Sequence, residues 1–253
     1  MYIVAFALGT IFGSFANAMA WRLHTGATVG GRSKCVKCKT TLGPQDLIPI
    51  LSWAVLRGRC RSCQGRISWH YPAAELAGGF LFACTLWRFE SIFETPLLLL
   101  FEVLFLVLIL VCVCMDLRWK ELPLELMVFG LGAMLIVQLA VRGVSVTELI
   151  AALFVCAVFF GSQWMLSSGR WIGSGDIFFS MFLAARLGSW ELTLTGIYLT
   201  YVVGGVVAVP LLLMKRMKRG SNIPFAPFLL FGFLGALWFG EGILNAVRGI
   251  FSV

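Results

Sequence analysis

Long apolar runs separated by short polar turns dominate this chain. Eight of these runs have the composition of transmembrane helices, and most have close to the roughly 20 residues that a bilayer crossing needs. The predicted spans cover residues 2–20, 72–87, 96–115, 122–141, 146–166, 175–187, 191–214 and 224–247. The sixth run is short for a full crossing. The pattern predicts an all-α integral membrane protein with about eight transmembrane helices.

One polar interval interrupts this pattern between the first two spans. Residues 21–71 contain nine Lys and Arg, one acidic residue and four cysteines. Because this many charged residues would be costly in hydrocarbon, we expect a small extramembrane insertion here. The predicted organisation is a first transmembrane helix at 1–20, the insertion at 21–71 and a seven-helix membrane core at 72–253.

Composition supports a membrane protein and gives it an orientation. Hydrophobic residues make up 60% of the chain, and the mean hydropathy is +0.93, which excludes an ordinary water-soluble globule. With the insertion in the cytoplasm, sixteen of the twenty Lys and Arg fall in cytoplasmic loops, as the positive-inside rule requires. The net charge of +8 therefore indicates a lipid bilayer rather than nucleic acid as the partner. Both termini are expected on the outer side.

Two aspartates lie at the cytoplasmic ends of predicted spans. Asp116 ends the third span, and Asp176 begins the sixth within the turn Gly173-Ser174-Gly175-Asp176. Because their predicted depth is the same, helix packing can bring the two carboxylates into one polar pocket. Two simpler interpretations stay open at this point. Either aspartate can be solvated at the membrane interface, or the turn can be an ordinary loop before a helix N-cap.

A pair of carboxyl groups at one site has a definite chemistry. Like charges a few ångströms apart cannot both ionise, so the pair shares a proton. One aspartate then activates a water as general base, while the protonated partner polarises a carbonyl. The reaction is hydrolysis of a peptide bond without a metal or a covalent intermediate. Gly173 and Gly175 are candidate supports, because residues without a Cβ let an extended substrate backbone lie against the turn.

The insertion contains two Cys-x-x-Cys knuckles, which are Cys35 with Cys38 and Cys60 with Cys63. Two knuckles of this kind predict a tetrahedral four-cysteine zinc site, and the 21 residues between them are one more than the usual 15–20. Disulfide bonds are the alternative, and a cytoplasmic location disfavours them because that compartment is reducing. Since four cysteines fill every ligand position, we expect the zinc to be structural.

Ordered motifs run along nearly the whole chain. They are Gly13-Ser14-Phe15-Ala16-Asn17, both cysteine knuckles, Asp46-Leu47-Ile48-Pro49, Tyr71-Pro72-Ala73-Ala74-Glu75, Asp116 with Leu122-Pro123, Gly173-Ser174-Gly175-Asp176 and Pro224-Phe225-Ala226-Pro227-Phe228. In this order they resemble the bacterial type IV prepilin peptidases, an intramembrane aspartyl protease family with a Gly-x-Gly-Asp motif. One departure is Phe178, where that family usually has Lys.

This resemblance implies removal of the basic leader from type IV prepilins or pseudopilins, on the cytoplasmic side of the bacterial inner membrane. It also implies methylation of the new N-terminus, often a Phe, from S-adenosylmethionine. By the resemblance, Asp116 and Asp176 are the catalytic residues. Glu75 matches the acid of its motif and is a candidate for methyl transfer or substrate binding, with stabilisation of a helix N-terminus as the alternative.

Three other functions stay open from the sequence. The first is a peptidase that has no methyltransferase activity. The second is an ion-coupled transporter that uses Asp116 and Asp176 as proton sites, although no inverted repeat is visible. The third is a non-catalytic assembly subunit whose cysteine-bearing insertion docks a cytoplasmic partner.

Overall fold

The protein is almost entirely helical in the computed structural model, which describes residues 2–28, 30–89, 95–214 and 223–251. The α-helices of the described residues are α1 (Tyr2–Thr25), α2 (Leu51–Val55), α3 (His70–Arg88), α4 (Pro96–Trp119), α5 (Leu124–Ala140), α6 (Val146–Ser167), α7 (Ser174–Leu187), α8 (Trp190–Leu213) and α9 (Ala226–Phe251). A 3-10 turn at Pro44–Asp46 precedes α2. Within these ranges there is no strand, apart from isolated bridges that join Lys34 to Thr41 and Arg59 to Arg66.

Each of the predicted apolar runs forms one helix. Helices α1, α4, α6, α8 and α9 are long and apolar enough to cross a membrane, whereas the apolar helix α5 has 17 residues and α7 has 14. Helices are expected here because an α-helix satisfies its own backbone hydrogen bonds in hydrocarbon. The prediction of an all-α protein with several membrane-spanning helices is confirmed, and eight complete crossings stay a prediction.

The chain divides into two compact units, Met1–Met115 and Asp116–Val253, with the boundary inside α4. The first unit contains the cysteine-bearing segment, and the second contains both of the aspartates singled out above. The basic run at 215–219, which contributes to the predicted orientation, lies outside the described residues.

Helices α1 and α3 pack closely in the first unit. Gly9 of α1 faces Gly78 of α3, and Gly13 faces Ala74. A Cβ added at either glycine of α1 would overlap a backbone carbonyl oxygen of α3. The small residues of the first apolar run therefore permit a close approach of α1 to α3.

Helix α7 is the packing centre of the second unit, because it contacts α5, α6, α8 and α9. Its Phe179, Phe182 and Leu183 side chains are buried. The helix is terminated by Gly188, which has a left-handed backbone with φ 69°. Since the first turn of α7 contains Asp176, this packing fixes the position of that carboxyl group.

Candidate active site

Asp116 lies in the last turn of α4, which extends beyond the predicted apolar run to Trp119. The helix ends where Lys120 adopts a left-handed conformation with φ 58°. Asp116 is only 6% exposed, and its Oδ2 accepts a hydrogen bond from the Ala226 N–H at 2.9 Å. Ala226 is the first residue of α9, and the first N–H groups of a helix have no partner within it. The start of α9 therefore holds the Asp116 carboxyl in place.

Asp176 is the third residue of α7 and is 8% exposed. Its Oδ2 accepts a hydrogen bond from the Gly173 N–H at 3.0 Å, and its own N–H donates to the Gly173 carbonyl at 3.2 Å. This reciprocal pattern is typical of helix capping. The turn is therefore the N-terminal cap of α7, as the simpler interpretation of the sequence expected. The same contacts fix the orientation of a buried carboxyl group.

One cavity of about 300 Å³ has both aspartates in its wall. The cavity is lined by Asp116, Lys120, Glu121, Leu122, Leu124, Gly173, Ser174, Gly175 and Asp176. The Asp116 charge acts on Asp176, so the two carboxyl groups lie within electrostatic range of each other. The structure therefore brings together the two aspartates that the sequence analysis paired.

Lys120 and Glu121 also line this cavity, and the sequence pattern did not single out either of them as a site residue. The signal that could have found them is their position four and five residues after Asp116, at the same end of the apolar run. The Lys120 charge acts on Asp116. Lys120 therefore supplies a cation beside the acidic pair, while Phe178 stands where the resemblance leads us to expect a Lys.

The two glycines of the turn differ in the room around them. A Cβ added at Gly175 would lie 3.0 Å from the Cβ of Leu122, whereas one added at Gly173 would lie 3.4 Å from Asp176 Oδ2. The first distance is shorter than an ordinary carbon–carbon contact of about 3.5–4.0 Å. Gly175 therefore packs closely on Leu122, a contact that the sequence did not predict.

The four cysteines of the insertion form a cluster in the first unit. The Sγ atoms of Cys35, Cys38, Cys60 and Cys63 all lie within 4.8 Å of one another, and none of these cysteines is in a disulfide bond. A tetrahedral zinc with Zn–S bonds of about 2.3 Å separates its sulfurs by roughly 3.8 Å. Cys35 Sγ and Cys63 Sγ are 3.9 Å apart. The cluster therefore has the donor set and the spacing of a metal site.

Both knuckles have the same local backbone. The residue after each second cysteine, Lys39 or Gln64, is left-handed with φ 59° or 55°. Its N–H donates to the carbonyl of the first cysteine, with Lys39 to Cys35 at 2.9 Å and Gln64 to Cys60 at 3.0 Å. The repeated turn directs each Cys-x-x-Cys pair toward one point.

Hydrogen bonds favour the thiolate, which is the form that binds metal, at Cys38 and Cys60. Contacts with the Thr40 side chain and backbone lower the pKa of Cys38 to about 6. Backbone hydrogen bonds from Cys63 and Ser62 lower the pKa of Cys60. At Cys63 the Gly65 backbone hydrogen bond lowers the pKa, but contact with the Cys38 thiol and burial outweigh it and raise the pKa to about 11. An ion pair also joins the second knuckle to the segment between the knuckles, because Arg61 Nε donates to Asp46 Oδ1 at 2.9 Å.

Glu75 lies in the first unit, and it is buried near the start of α3. Its Oε1 accepts from the Ser14 hydroxyl at 2.8 Å, and its Oε2 accepts from the Ile50 N–H at 2.6 Å. Ile50 has φ 62°, which is rare for a β-branched residue. Glu75 therefore joins α1 and α3 to the chain just before α2, in the segment that connects the two cysteine knuckles.

Comparison with known proteins gives two family matches. The Bacterial Peptidase A24 N-terminal domain matches residues 7–89, and the Type IV leader peptidase family matches residues 103–209. The first match contains the four cysteines and Glu75, and the second contains both aspartates. No solved structure matches the chain at a significant level.

The chain is also similar to curated proteins called prepilin leader peptidase/N-methyltransferase. It is 30% identical over 251 residues to one from Bacillus subtilis (strain 168), with 97% of each chain covered. It is 28% identical to one from Stutzerimonas stutzeri, with 93% of this chain and 90% of the relative covered. A relative from Myxococcus xanthus (strain DK1622) is 33% identical, with 87% of this chain and 65% of the relative covered. The chain therefore belongs to the type IV prepilin leader peptidase/N-methyltransferase family.

Proposed function

We propose that this protein is an intramembrane aspartyl endopeptidase that removes the leader peptide of type IV prepilins or pseudopilins. The observation that carries the proposal is the shared cavity of Asp116 and Asp176, two buried carboxyl groups on one wall. Its volume of about 300 Å³ is enough for an extended peptide segment and a water. The names of the relatives supply the substrate class.

In the proposed mechanism, one carboxylate of the pair takes a proton from a water. The water oxygen forms a bond with the carbonyl carbon of the scissile peptide, while the other, protonated aspartate gives its proton to the carbonyl oxygen. The carbon–nitrogen bond then breaks as the leaving amine takes up the proton held by the base. One hydroxyl of the tetrahedral intermediate returns its proton to the other aspartate, so that the carbonyl re-forms and the pair again shares one proton. The Ala226 and Gly173 N–H groups keep the two carboxyl groups oriented for these transfers.

We propose that the chain crosses the bacterial inner membrane eight times. In this placement the cysteine-bearing segment and the aspartate cavity lie on the cytoplasmic side, and both termini lie outside. The distribution of Lys and Arg supports this orientation. A basic leader would then approach the cavity from the cytoplasm. There Glu121 and the two aspartates can attract it.

The four-cysteine cluster is proposed to hold one structural zinc. Cys35, Cys38, Cys60 and Cys63 fit it by donor type and by spacing. A bound zinc would cross-link the two knuckles through their four sulfur atoms. This proposal places no catalytic step at the metal.

Methylation of the new N-terminus from S-adenosylmethionine is the second proposed activity, and the names of the relatives support it. Glu75 is proposed to serve it by positioning. Both of its carboxylate oxygens already accept hydrogen bonds from the protein, which favours a positioning role over direct contact with the methyl donor.

The experiment that tests both activities uses the purified protein in detergent with a prepilin and labelled S-adenosylmethionine. Mass spectrometry is expected to find the mature chain without its leader and with a labelled methyl group at its N-terminus. An intact prepilin would overturn the peptidase proposal and leave the transporter or the assembly subunit. Cleavage without a label would identify a peptidase only.

A further inference from the structure

A row of exposed apolar side chains lies between the two cysteine knuckles, in the stretch 47–55 that ends with α2. The row consists of Leu47, Ile48, Leu51 and Val55, which are 44%, 48%, 63% and 76% exposed. We call the stretch 47–55 the α2 segment. Leu51 and Val55 are one helical turn apart, so they share one face of α2. An exposed apolar surface of this kind marks a place where a membrane or another molecule binds.

The hydrogen bonds of Glu75 fix the depth of the α2 segment. Glu75 accepts from the Ile50 N–H at 2.6 Å and from the Ser14 hydroxyl at 2.8 Å. Ser14 is in the middle of α1, six residues before the predicted span ends at residue 20. Six residues of helix correspond to roughly 9 Å, and the single carboxyl group that joins Ser14 to Ile50 is shorter than this. Ile50 therefore lies below the cytoplasmic end of the predicted span.

The opposite face of α2 is attached to the protein. Trp53 lies half a helical turn away from Leu51 and Val55, and its Nε1 donates to the Ile67 carbonyl at 3.3 Å. The ring packs on Gly58, where an added Cβ would lie 3.0 Å from Trp53 Cζ2. Trp53 therefore fixes α2 against the chain around the second knuckle, and the Leu51 and Val55 face is left exposed.

Two arginines lie next to this attachment point. Arg59 and Arg66 are joined by an antiparallel bridge, and both are exposed. Residues that face each other in such a bridge have their side chains on the same side, where like charges destabilise each other. Asp46 is the only acidic residue within 21–71, and it pairs with Arg61. The arginine pair is therefore complementary to an anion from outside the insertion, such as a phospholipid headgroup.

We propose that the α2 segment is an interfacial membrane anchor. It inserts Leu47, Ile48, Leu51 and Val55 into the acyl boundary of the cytoplasmic leaflet, and it places Arg59 and Arg66 at anionic phospholipid headgroups. Interfacial helices bury their apolar face about 5–10 Å into this boundary, which agrees with the depth of Ile50. The proposal rests on the proposed crossing of the membrane by α1 and is independent of the peptidase activity.

The test uses the full-length protein in vesicles of phosphatidylethanolamine and phosphatidylglycerol. A photoreactive benzophenone amino acid replaces one exposed residue at a time, and mass spectrometry identifies what it reacts with under illumination. The test positions are Leu51 and Val55. Ser62 is the control in the insertion, because it is exposed in the second knuckle, within the loop that the Arg59 and Arg66 bridge closes. Ile11 is the control in the bilayer, because it is 53% exposed in α1.

The probes at Leu51 and Val55 are expected to form phospholipid adducts at least about tenfold more often than the probe at Ser62, and about as often as the probe at Ile11. Phosphatidylglycerol is expected in these adducts at about threefold its share of the vesicle lipid. The double variant Arg59→Gln with Arg66→Gln is expected to remove this enrichment and to keep the adducts.

A second measurement needs no substitution. Phosphatidylglycerol with a diazirine in its acyl chain labels the unchanged protein, and the label is expected within residues 47–55. This measurement decides the matter if a substituted chain does not fold.

Three results would overturn the anchor. They are lipid adducts at Leu51 and Val55 no more frequent than at Ser62, adducts with a second copy of the chain in place of lipid, and adducts with an added prepilin that displace the lipid. Adducts without enrichment of phosphatidylglycerol would overturn the role of Arg59 and Arg66. A probe at Ile11 that does not react with lipid would overturn the placement of α1, and the anchor with it. Cleavage of a prepilin enters none of these results, so failure of the proposed peptidase is a separate outcome.

Discussion

Gly175 is the residue of the candidate site with the least room for a larger side chain. A Cβ at this position would meet Leu122 Cβ at 3.0 Å, and both residues line the cavity. Gly175→Ala is therefore expected to shift the turn that contains Asp176. Overpacking of this kind costs about 1–3 kcal/mol, so we expect the rate of leader cleavage to fall about tenfold or more.

The control for this prediction separates crowding from helix propensity. Gly205 of α8 has open space where its Cβ would stand, so Gly205→Ala is expected to cleave normally. Adding Leu122→Gly to Gly175→Ala is expected to recover part of the lost rate, because Leu122→Gly removes the Cβ, Cγ and Cδ1 atoms that the new methyl group meets. A double variant as slow as the single one would show that crowding on Leu122 is not the cause.

At the scale of an element, the segment between the cysteine knuckles depends on one buried carboxylate. Glu75→Ala removes the acceptor of the Ile50 N–H and of the Ser14 hydroxyl. A hydrogen bond to a charged group contributes about 1.5–3 kcal/mol, so amide exchange at residues 46–50 is expected to speed up about tenfold or more. Methylation is expected to fall more than cleavage.

The neighbouring variant Leu76→Ala is the matched control, because Leu76 is 39% exposed on the same helix. It is expected to leave exchange and methylation unchanged. If Glu75→Ala exchanges at the normal rate but loses methylation, a direct chemical role would replace the positioning role. If Glu75→Ala keeps both the normal exchange rate and normal methylation, Glu75 has no part in methyl transfer.

The cysteine cluster makes a prediction at the same scale. The purified protein is expected to contain about one zinc per chain, measured by elemental analysis. Cys60→Ser is expected to lose the metal and to become sensitive to proteases between residues 30 and 68, because a structural zinc contributes directly to folding.

The control for the metal is Cys84→Ser, since Cys84 lies in α3 outside the cluster. It is expected to keep the zinc. A chain without metal that holds Cys35 and Cys63 in a disulfide after isolation under reducing conditions would contradict the zinc site.

At the scale of the whole molecule, the predicted topology puts the turn after α5 outside and the turn after α6 inside. Alkaline phosphatase joined after Gly143 is therefore expected to be active in cells, and the same enzyme joined after Ser168 to be inactive. Fluorescent protein fusions at the same two positions should give the opposite pattern. Activity at both positions, or at neither, would contradict the alternating spans.

Much of the fold could be predicted from apolar runs because a membrane helix is specified locally. The run at 146–166 became α6 at Val146–Ser167, and the short run at 175–187 became α7 at Ser174–Leu187. Where a helix boundary differs from the predicted one, as in α4, the difference lies at a polar end of the apolar run. Helix α4 continues through Asp116 to Trp119 because its last turn faces the acidic cavity, where charged residues are no longer in hydrocarbon.

The candidate site was less accessible to sequence reasoning, because it depends on contacts between distant segments. Topology gave Asp116 and Asp176 the same depth, but only the packing of α7 brings them to one cavity. The Ala226 hydrogen bond to Asp116 joins residues 110 positions apart.

The central claim is that Asp116 and Asp176 act together in peptide hydrolysis, and cleavage by their amide variants tests it most directly. Asp116→Asn and Asp176→Asn keep the size of the side chain and remove its proton chemistry. With equal amounts of each inserted, folded protein, we expect prepilin cleavage to fall at least about a hundredfold in both. Glu148→Gln of α6 is expected to cleave normally. Full processing of the prepilin by either aspartate variant would contradict the account.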